Sequence, residues 1–276
     1  MKLSVFGGTG FVGGNYMRMF PYNNLMARDA LCPDTPDVLY LISTTHNYHV
    51  FTDVHKDIDT NLSHLVDVLE AWRKNLDGRD GVFSMISSWF VYGNCKLPAC
   101  ECTPCDPKGF YSITKRAAEQ LVISYCETFD LKYRILRLGN VVGRGDATAS
   151  AKKNALQYLI NEMKAGRPIE LYEDGNFNRD MIHVDDCCEA INLVCETGGD
   201  YNTIYNIGNG YPVHFGNVIR MAHRRMGSTS TITPIPQKDF HKKVQTKTFY
   251  MSTTKLQKLG YSPKYSVSNI VDEMIS

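Results

Sequence analysis

Strong charge of one sign, long apolar runs, internal repeats and low-complexity tracts are all missing from this sequence, and each absence removes a class of protein. In 276 residues, 30 Lys or Arg stand against 29 Asp or Glu, a formal charge of +1. Neither a basic nucleic-acid binder nor an acidic tail is indicated. No stretch approaches the roughly 20 apolar residues of a membrane span. The first apolar run, residues 3–6, is too short for a signal-peptide core and leads straight into glycines. A cytoplasmic location is therefore expected, with neither nucleic acid nor membrane as a partner. The nine cysteines are odd in number, so they cannot all pair within the chain, and a reducing compartment with mostly free thiols is the simpler setting.

What is present is ordinary core material, 43% hydrophobic, patterned as strands alternating with helices. Residues 2–6 read as a strand, and Phe11, Val12, Tyr16, Met17 and Phe20 follow with helical spacing. Further strands are expected at 38–42, 82–86 and 133–138, with helices near 62–69 and 117–129 between them. Such alternation implies a parallel sheet covered on both faces. After residue 144 the pattern breaks into a small, polar stretch (143–150), a helix near 155–163, and short elements interrupted by Gly, Pro and Asn.

Two motifs carry chemistry. Gly7, Gly10 and Gly13 lie between the first strand and the first helix. In that setting the first glycine permits the sharp turn, the second lets a pyrophosphate approach the backbone, and the third lets helix and strand pack closely. The helix start then offers free N–H groups to phosphate. About 20 positions on, where an acidic residue commonly binds the adenosine ribose, stand Arg28 and Asp29. Asp29 would suit the free 2′-hydroxyl of NAD and Arg28 the 2′-phosphate of NADP, so the expected cofactor is NAD or NADP.

The second motif is Tyr111 with Lys115, four residues apart at a helix start and so on one face. A nearby ammonium stabilises a phenolate and makes tyrosine, with an ordinary pKa of about 10, a usable proton donor or acceptor. Ser88, at the carboxyl end of the 82–86 strand, supplies a hydroxyl for the same substrate oxygen.

With these residues in hand, the chain resembles the extended short-chain dehydrogenase/reductases, in the branch of NAD-dependent epimerase/dehydratases acting on nucleotide sugars. The resemblance spans nearly the whole length. It includes the Gly7/Gly10/Gly13 turn, Asn61, the Ser87-Ser88 to Tyr92-Gly93 run, and Glu101, Pro104 and Pro107 leading to Tyr111. It continues through Leu136-Arg137-Leu138-Gly139-Asn140, Arg179-Asp180 to Asp185-Asp186, and Tyr205-Asn206-Ile207-Gly208. The resemblance implies a Rossmann-type, doubly wound α/β fold with a smaller C-terminal substrate-binding lobe. Residues 1–144 would bind NAD(P), with the segment near 175–210 returning to that domain, and 145–276 would mainly hold substrate. It further implies Ser88, Tyr111 and Lys115 as catalytic residues, and Gly7, Gly10, Phe11, Val12, Gly13, Arg28, Tyr111 and Lys115 at the cofactor. Asn140 and Arg179, with Ser88, would hold a nucleotide-diphosphate sugar. A homodimer is expected, with the Leu121, Val122 and Tyr125 stripe serving as core or as a helix of its interface.

Two departures sharpen the expectation. Where the 4,6-dehydratases of this family carry Asp-Glu after the serine or threonine, this chain has Trp89-Phe90, and neither can move a proton. The related decarboxylases' glutamate near this point is absent as well. Transient oxidation at C4 of the sugar in an epimerase, or NADPH-dependent reduction of a keto sugar, are the reactions left. A non-catalytic NAD(P) sensor or scaffold is the alternative of another class. The second departure is length: only 17 residues, 21–37, separate the first helix from the next long strand, where the family fits a strand, a helix and a strand. Phe6 also replaces the customary threonine at the end of the first strand.

Other clusters read more plainly. Cys95, Cys100, Cys102 and Cys105 lack a second paired knuckle, and no metal is expected. His46, His49, His55 and His64 lack standard ligand spacing with any carboxylate or cysteine. His241, Lys242, Lys243 and Lys247, with Arg224 and Arg225, read as a solvated basic face or a phosphate-facing one.

Overall fold

A computed structural model describes residues 2–146, 149–150, 152–196 and 198–276. Ala147 and Thr148, inside the small polar stretch, lie outside the described residues. The first half runs β1 (Ser4–Phe6), α1 (Phe11–Met19), β2 (Asn24–Leu25) and β3 (Val38–Tyr40), then a 3-10 turn (Asn47–Phe51), α2 (Lys56–Ile58) and α3 (His64–Leu76). It continues with β4 (Val82–Ser88), α4 (Phe110–Thr128) and β5 (Lys132–Leu138). The second half holds β6 (Asn140–Val142), α5 (Ala155–Lys164), β7 (Ile169–Tyr172), β8 (Asn178–Arg179), β9 (Met181–His183), α6 (Val184–Glu196) and β10 (Thr203–Ile207). It ends with β11 (Val213–His214), α7 (Phe215–Met226), β12 (Ile232–Ile235), α8 (Asp239–Val244), α9 (Thr254–Gln257) and α10 (Val267–Ile275).

Six strands form one sheet in the order β10-β5-β4-β3-β1-β2, parallel at every pairing. Both of its faces are covered, and the central strand β3 is accordingly an apolar run: Val38, Leu39 and Tyr40 are all buried. On one face α1 and α6 enclose Leu3, Val5, Tyr16, Ile191 and Val194. On the other, α3 and α4 enclose Leu65, Leu69, Trp72, Val122 and Ile135. Each such side chain contributes roughly 1.5–3 kcal/mol on leaving water. The helix α3 buries Leu65, Val68, Leu69, Trp72 and Leu76 at helical spacing, and Asp77 ends it in the left-handed region at φ 47°.

The short 21–37 segment supplies one edge strand, β2, and no helix before β3. The strand order therefore stops one strand beyond β1, and the first half of the doubly wound fold lacks its third strand. Strand β10 and helix α6, from the second half of the chain, complete the main sheet and its cover. The remaining elements build a smaller lobe in which α5, α7 and α10 pack on the parallel pair β7–β12 around Leu156, Ile160, Ile219 and Val271. Two short ladders, β6–β9 and β8–β11, lie between.

Candidate active site

Helix α4 has its buried stripe at Tyr111, Lys115, Ala118, Val122 and Cys126. The last three pack in the core, so the same helical periodicity that buries α4 carries Tyr111 and Lys115 to the carboxyl end of β4. Gly109 precedes the helix at φ +84°, and a Cβ there would lie 2.6 Å from Asn47 Oδ1. Only glycine fits this start.

Ser88 ends β4, and its Oγ accepts from Phe90 N at 3.3 Å. The Ser88 and Ser43 hydroxyls stand beside the Tyr111 phenol, and Ser43 Oγ itself donates toward Thr44 O at 2.6 Å. Burial pushes that phenol above the ordinary tyrosine value, the Ser88 hydroxyl pulls it back, the Asp57 carboxylate adds to the rise, and Ser43 again lowers it. Lys115 Nζ donates to Ile86 O at 2.7 Å, and burial pushes its ammonium down to about 8. The expected depression of the phenol by Lys115 is thus not what this structure holds. Burial penalises both charges, and at the phenol the serine hydroxyls offset only part of it.

Asn61 anchors the loop after β3 to α4. Its Oδ1 accepts from Thr44 N at 2.9 Å and Ser43 Oγ at 3.1 Å, while Nδ2 donates to Thr44 Oγ1 at 2.8 Å and Thr114 Oγ1 at 3.0 Å. Beneath the site, Glu119 accepts from Arg137 at 2.8 and 2.7 Å, from Arg116 at 2.8 Å and from Ser87 at 2.6 Å. Burial would raise this carboxyl, but the Arg137 hydrogen bonds and charge outweigh it and hold the group below the usual carboxylate range.

Trp89 and Phe90 form an aromatic wall beside the tyrosine. Trp89 stacks on Phe249 with centroids 4.7 Å apart, and Phe90 meets the Tyr111 ring edge-on at 5.8 Å. The Arg179 guanidinium lies 4.5 Å from the Phe177 ring centroid and 5.4 Å from that of Trp89. Burial lowers Arg179 to about 10, which leaves it cationic at neutral pH. It also donates to Asn178 O at 2.9 Å and Lys247 O at 2.5 Å. Asn140 begins β6, its backbone N donating to Asp180 O at 2.8 Å. Its side-chain Nδ2 is buried with no partner among the described residues, a donor that a ligand oxygen would satisfy.

At the glycine turn, Gly7 takes φ +78°, and a Cβ on Gly13 would sit 2.3 Å from Gly7 O. A Cβ on Gly10 would meet only Gly7 O at 3.5 Å, so that side of the turn is open. Helix α1, which begins at Phe11 and Val12, has no side-chain cap and no acidic residue in its first turn. Its first N–H groups are therefore available to a phosphate, as a dinucleotide requires. Arg28 and Asp29 follow the end of β2 and are exposed.

The other clusters are dispersed. Cys100 and Cys102 are joined with Cα atoms 5.3 Å apart, while the other seven cysteines are free thiols. Among the described residues no group of three His, Cys, Asp or Glu could hold a metal. Arg225 pairs with Asp272, and His241 turns inward against Tyr48 and Tyr172, so the basic residues make no single face. On α4 Val122 is core and Leu121 is exposed.

Ser43 was invisible in the sequence as a partner of Tyr111, since it follows β3 and reaches the phenol only through the fold. Its one signal is Asn61, which holds its loop.

The model of the NAD dependent epimerase/dehydratase family matches residues 21–208. Low-salt glycan biosynthesis protein Agl12 of Haloferax volcanii is 26% identical over 96% of this chain and 94% of its own length. In fold, the chain is similar to a UDP-glucose 4-epimerase of Thermotoga maritima solved with UDP-glucose, with a TM-score of 0.87 and 22% identity, covering 100% of this chain and 97% of that one. It is also similar to RMD of Pseudomonas aeruginosa complexed with NADPH, with a TM-score of 0.84 and 22% identity over 99% and 97% of the two chains.

Proposed function

The chain belongs to the NAD dependent epimerase/dehydratase family of extended short-chain dehydrogenase/reductase enzymes, and from that premise we propose that it is a nucleotide-sugar epimerase working by transient oxidation at C4. The observation that carries this reading is the convergence at the carboxyl end of β4 of Ser88, which ends that strand, with Tyr111 and Lys115 on one buried stripe of α4, Lys115 Nζ donating to Ile86 O at 2.7 Å. The open face of Gly10 and the uncapped start of α1 fit the pyrophosphate of NAD or NADP. When bound, that cofactor supplies the hydride acceptor and donor.

In its ionised form, which burial opposes, Tyr111 takes the proton of the C4 hydroxyl, and Ser88 holds that hydroxyl in line. Lys115 holds the ribose beside Tyr111. Asn140 Nδ2 and the Arg179 guanidinium hold the diphosphate, the guanidinium as a planar fork. The keto sugar, tethered by its diphosphate, turns and is reduced on its other face while Tyr111 returns the proton. Trp89 and Phe90 have no proton to give or take, which disfavours elimination of water.

A second reading, reduction of a nucleotide keto sugar by NADPH, is favoured by Arg28, which is exposed beyond β2 and suits a 2′-phosphate. The test is a panel of UDP-, dTDP- and GDP-sugars with wild type and Tyr111→Phe. Interconversion of C4 epimers without added reductant, lost in Tyr111→Phe, supports the epimerase. NADPH consumption with a 4-keto sugar and no interconversion supports the reductase. Unchanged turnover in Tyr111→Phe removes both.

A further inference from the structure

We infer that Cys100 and Cys102 form a redox site that exchanges with a small-molecule thiol such as glutathione, and that its state sets how firmly the loop between Ser88 and Tyr111 is held. The two cysteines are joined, with Cα atoms 5.3 Å apart, in the loop that runs from the end of β4 to the start of α4. The cross-link has a sequence separation of 2, the short end of the range, where loop closure stabilises a fold least. Its effect is therefore local, and falls on Glu101, the residue enclosed in the ring.

Glu101 is bonded through both its side chain and its backbone. Its Oε1 accepts from Asn206 N at 3.0 Å, and its carbonyl accepts from Arg137 Nη1 at 3.5 Å. Asn206 also donates from Nδ2 to Ala99 O at 3.0 Å, so one residue of β10 grips the chain on either side of Cys100. Ala99 O accepts in addition from Ser252 N at 2.8 Å, and Ala99 N donates to Tyr250 O at 3.1 Å. From Arg137 the contacts continue to Glu119 and so to Ser87, the neighbour of Ser88. The ring holds the backbone at the outer end of this series. Opening it frees Glu101 to rotate and loosens both of its bonds.

The setting of the sulfurs suits exchange. Cys102 is exposed, where a thiolate from solution can reach it, and Cys100 is half-buried beside Thr103. Thr103 Oγ1 accepts from Cys100 N at 3.0 Å and lies 3.3 Å from Cys100 Sγ. Since that hydroxyl accepts from the backbone, its own proton is free for the sulfur, and this stabilises Cys100 as a leaving thiolate. Attack by an external thiolate on Cys102 Sγ forms a mixed disulfide and breaks the bond to Cys100, which leaves with the electron pair and takes up a proton. A second external thiolate then attacks the sulfur of the first, releasing the external disulfide and leaving Cys102 as a thiol. Two external thiols are oxidised and the protein disulfide is reduced, and oxidised glutathione drives the reverse. Cys95 and Cys105 are free thiols of the same loop, and Cys105 Sγ donates to Thr103 O at 3.9 Å, so the test must read each cysteine separately.

The effect on turnover rests on the proposed sugar chemistry, whereas the redox site itself does not. The folded protein is equilibrated in graded ratios of reduced to oxidised glutathione, free thiols are blocked with iodoacetamide, and each cysteine is mapped by mass spectrometry. Cys100 and Cys102 should become blocked together as the buffer turns reducing, while thermal unfolding stays cooperative, and should rejoin in oxidised glutathione. In Cys100→Ser, Cys102 should carry glutathione as a mixed disulfide. Amide hydrogen exchange of residues 99–103 should quicken on reduction, and kcat/KM with the nucleotide sugar should fall reversibly by about three- to tenfold, the change that one or two loosened hydrogen bonds produce. The double variant Cys100→Ser, Cys102→Ser should show the reduced value in every buffer. The inference is overturned if the pair stays joined until the protein unfolds, if both cysteines are blocked in every buffer, or if Cys100→Ser captures no glutathione on Cys102. Opening of the ring with unchanged amide exchange or unchanged kcat/KM overturns its hold on the loop. Absence of turnover with every sugar in both states overturns the epimerase reading instead, and the blocking and amide-exchange results still decide the redox site.

Discussion

A methyl group added at Gly10 and the same group added at Gly13 should have different consequences, because the glycine turn uses the two positions for different things. At Gly13 the new Cβ lies 2.3 Å from Gly7 O, 2.7 Å from Gly8 Cα and 3.0 Å from Gly7 C. These are backbone atoms that cannot rotate away, and overpacking of this kind costs about 1–3 kcal/mol. The roughly 0.5–1 kcal/mol that alanine gains over glycine inside a helix offsets only part of it. At Gly10 the Cβ meets one atom at an ordinary 3.5 Å, and φ −78°, ψ 178° suits any residue. The entropy gained by stiffening the unfolded chain, about 0.4–1 kcal/mol, roughly cancels the poorer helix cap. Gly13→Ala should therefore lower Tm by about 2–8 °C, and Gly10→Ala should stay within about 2 °C of wild type. Both should weaken NAD(P) binding by at least about tenfold, equivalent to 1.4 kcal/mol. In Gly10→Ala the cause is direct, because the methyl stands between the free N–H groups of α1 and the phosphates. Thermal melts and calorimetric titration with NAD and NADPH check both variants. Wild-type affinity in a stable Gly10→Ala protein would refute the assignment of this turn as the phosphate cradle.

Glu119→Gln should destabilise the protein by about 3–5 kcal/mol, because it leaves Arg137, 1% exposed, without its counter-charge. Because Glu119 is held below its unfolded value, its contribution is fully present above the ordinary carboxylate pKa of about 4.3 and is lost as pH falls through the folded value. Denaturant midpoints of wild type and variant should thus differ fully at pH 7 and converge in acid. Asn140→Ala removes an amide whose Nδ2 has no hydrogen-bond partner among the described residues, so unfolding should change by less than about 1 kcal/mol, while affinity for UDP- or dTDP-sugars falls about tenfold by calorimetry. Arg28→Ser should weaken NADPH about tenfold and leave NADH unchanged in fluorescence titration, and an equal effect on both cofactors would remove the case for a 2′-phosphate site.

How much of this was legible beforehand depends on how local each signal is. The strand at Val38–Tyr40 was readable because parallel strands buried on both faces are near-continuous apolar runs, and that at Lys132–Leu138 from its apolar residues Tyr133, Ile135, Leu136 and Leu138 despite Arg134 and Arg137. The spacing of Tyr111 and Lys115 was readable because both obey the helical period that buries Val122 and Cys126. Strand β2 was not, since two residues carry no period and its place depends on pairing with β1. Ser43, His49 and Asp57 lie on the loop and short helix after β3 and meet α4 only through folding. Nothing in their spacing distinguishes them from solvated loop residues. The charge state of the site was the least legible. A Tyr and a Lys four residues apart suggest a phenol lowered by an ammonium, but burial acts against both charges, and only the folded environment shows its weight.

The family motifs that lie away from Tyr111 have a common physical purpose, visible at Asp180. This buried carboxylate accepts from Asn209 N at 2.7 Å, Met251 N at 3.1 Å and Gly210 N at 3.3 Å. Burial still raises it to about 6, so its three backbone donors only partly offset desolvation. Its approach requires Gly208, where a Cβ would lie 2.8 Å from Oδ2, and its own carbonyl accepts the backbone N of Asn140. Arg179 is the preceding residue. One residue therefore joins the ends of β6, β8 and β10, by its carboxylate, its carbonyl and its place in the chain, and with them the two side chains proposed to hold the diphosphate. Asn206 does the same on the other side, accepting from Tyr92 Oη at 2.7 Å and donating to Ala99 O at 3.0 Å and Ser252 O at 3.1 Å. Chemistry at Tyr111 needs the sugar held within a fraction of an ångström. The Arg-Asp and Tyr-Asn-Ile-Gly motifs are the frame that holds the gripping residues, which is why a reading of the site that stops at Ser88, Tyr111 and Lys115 leaves half of its geometry unexplained.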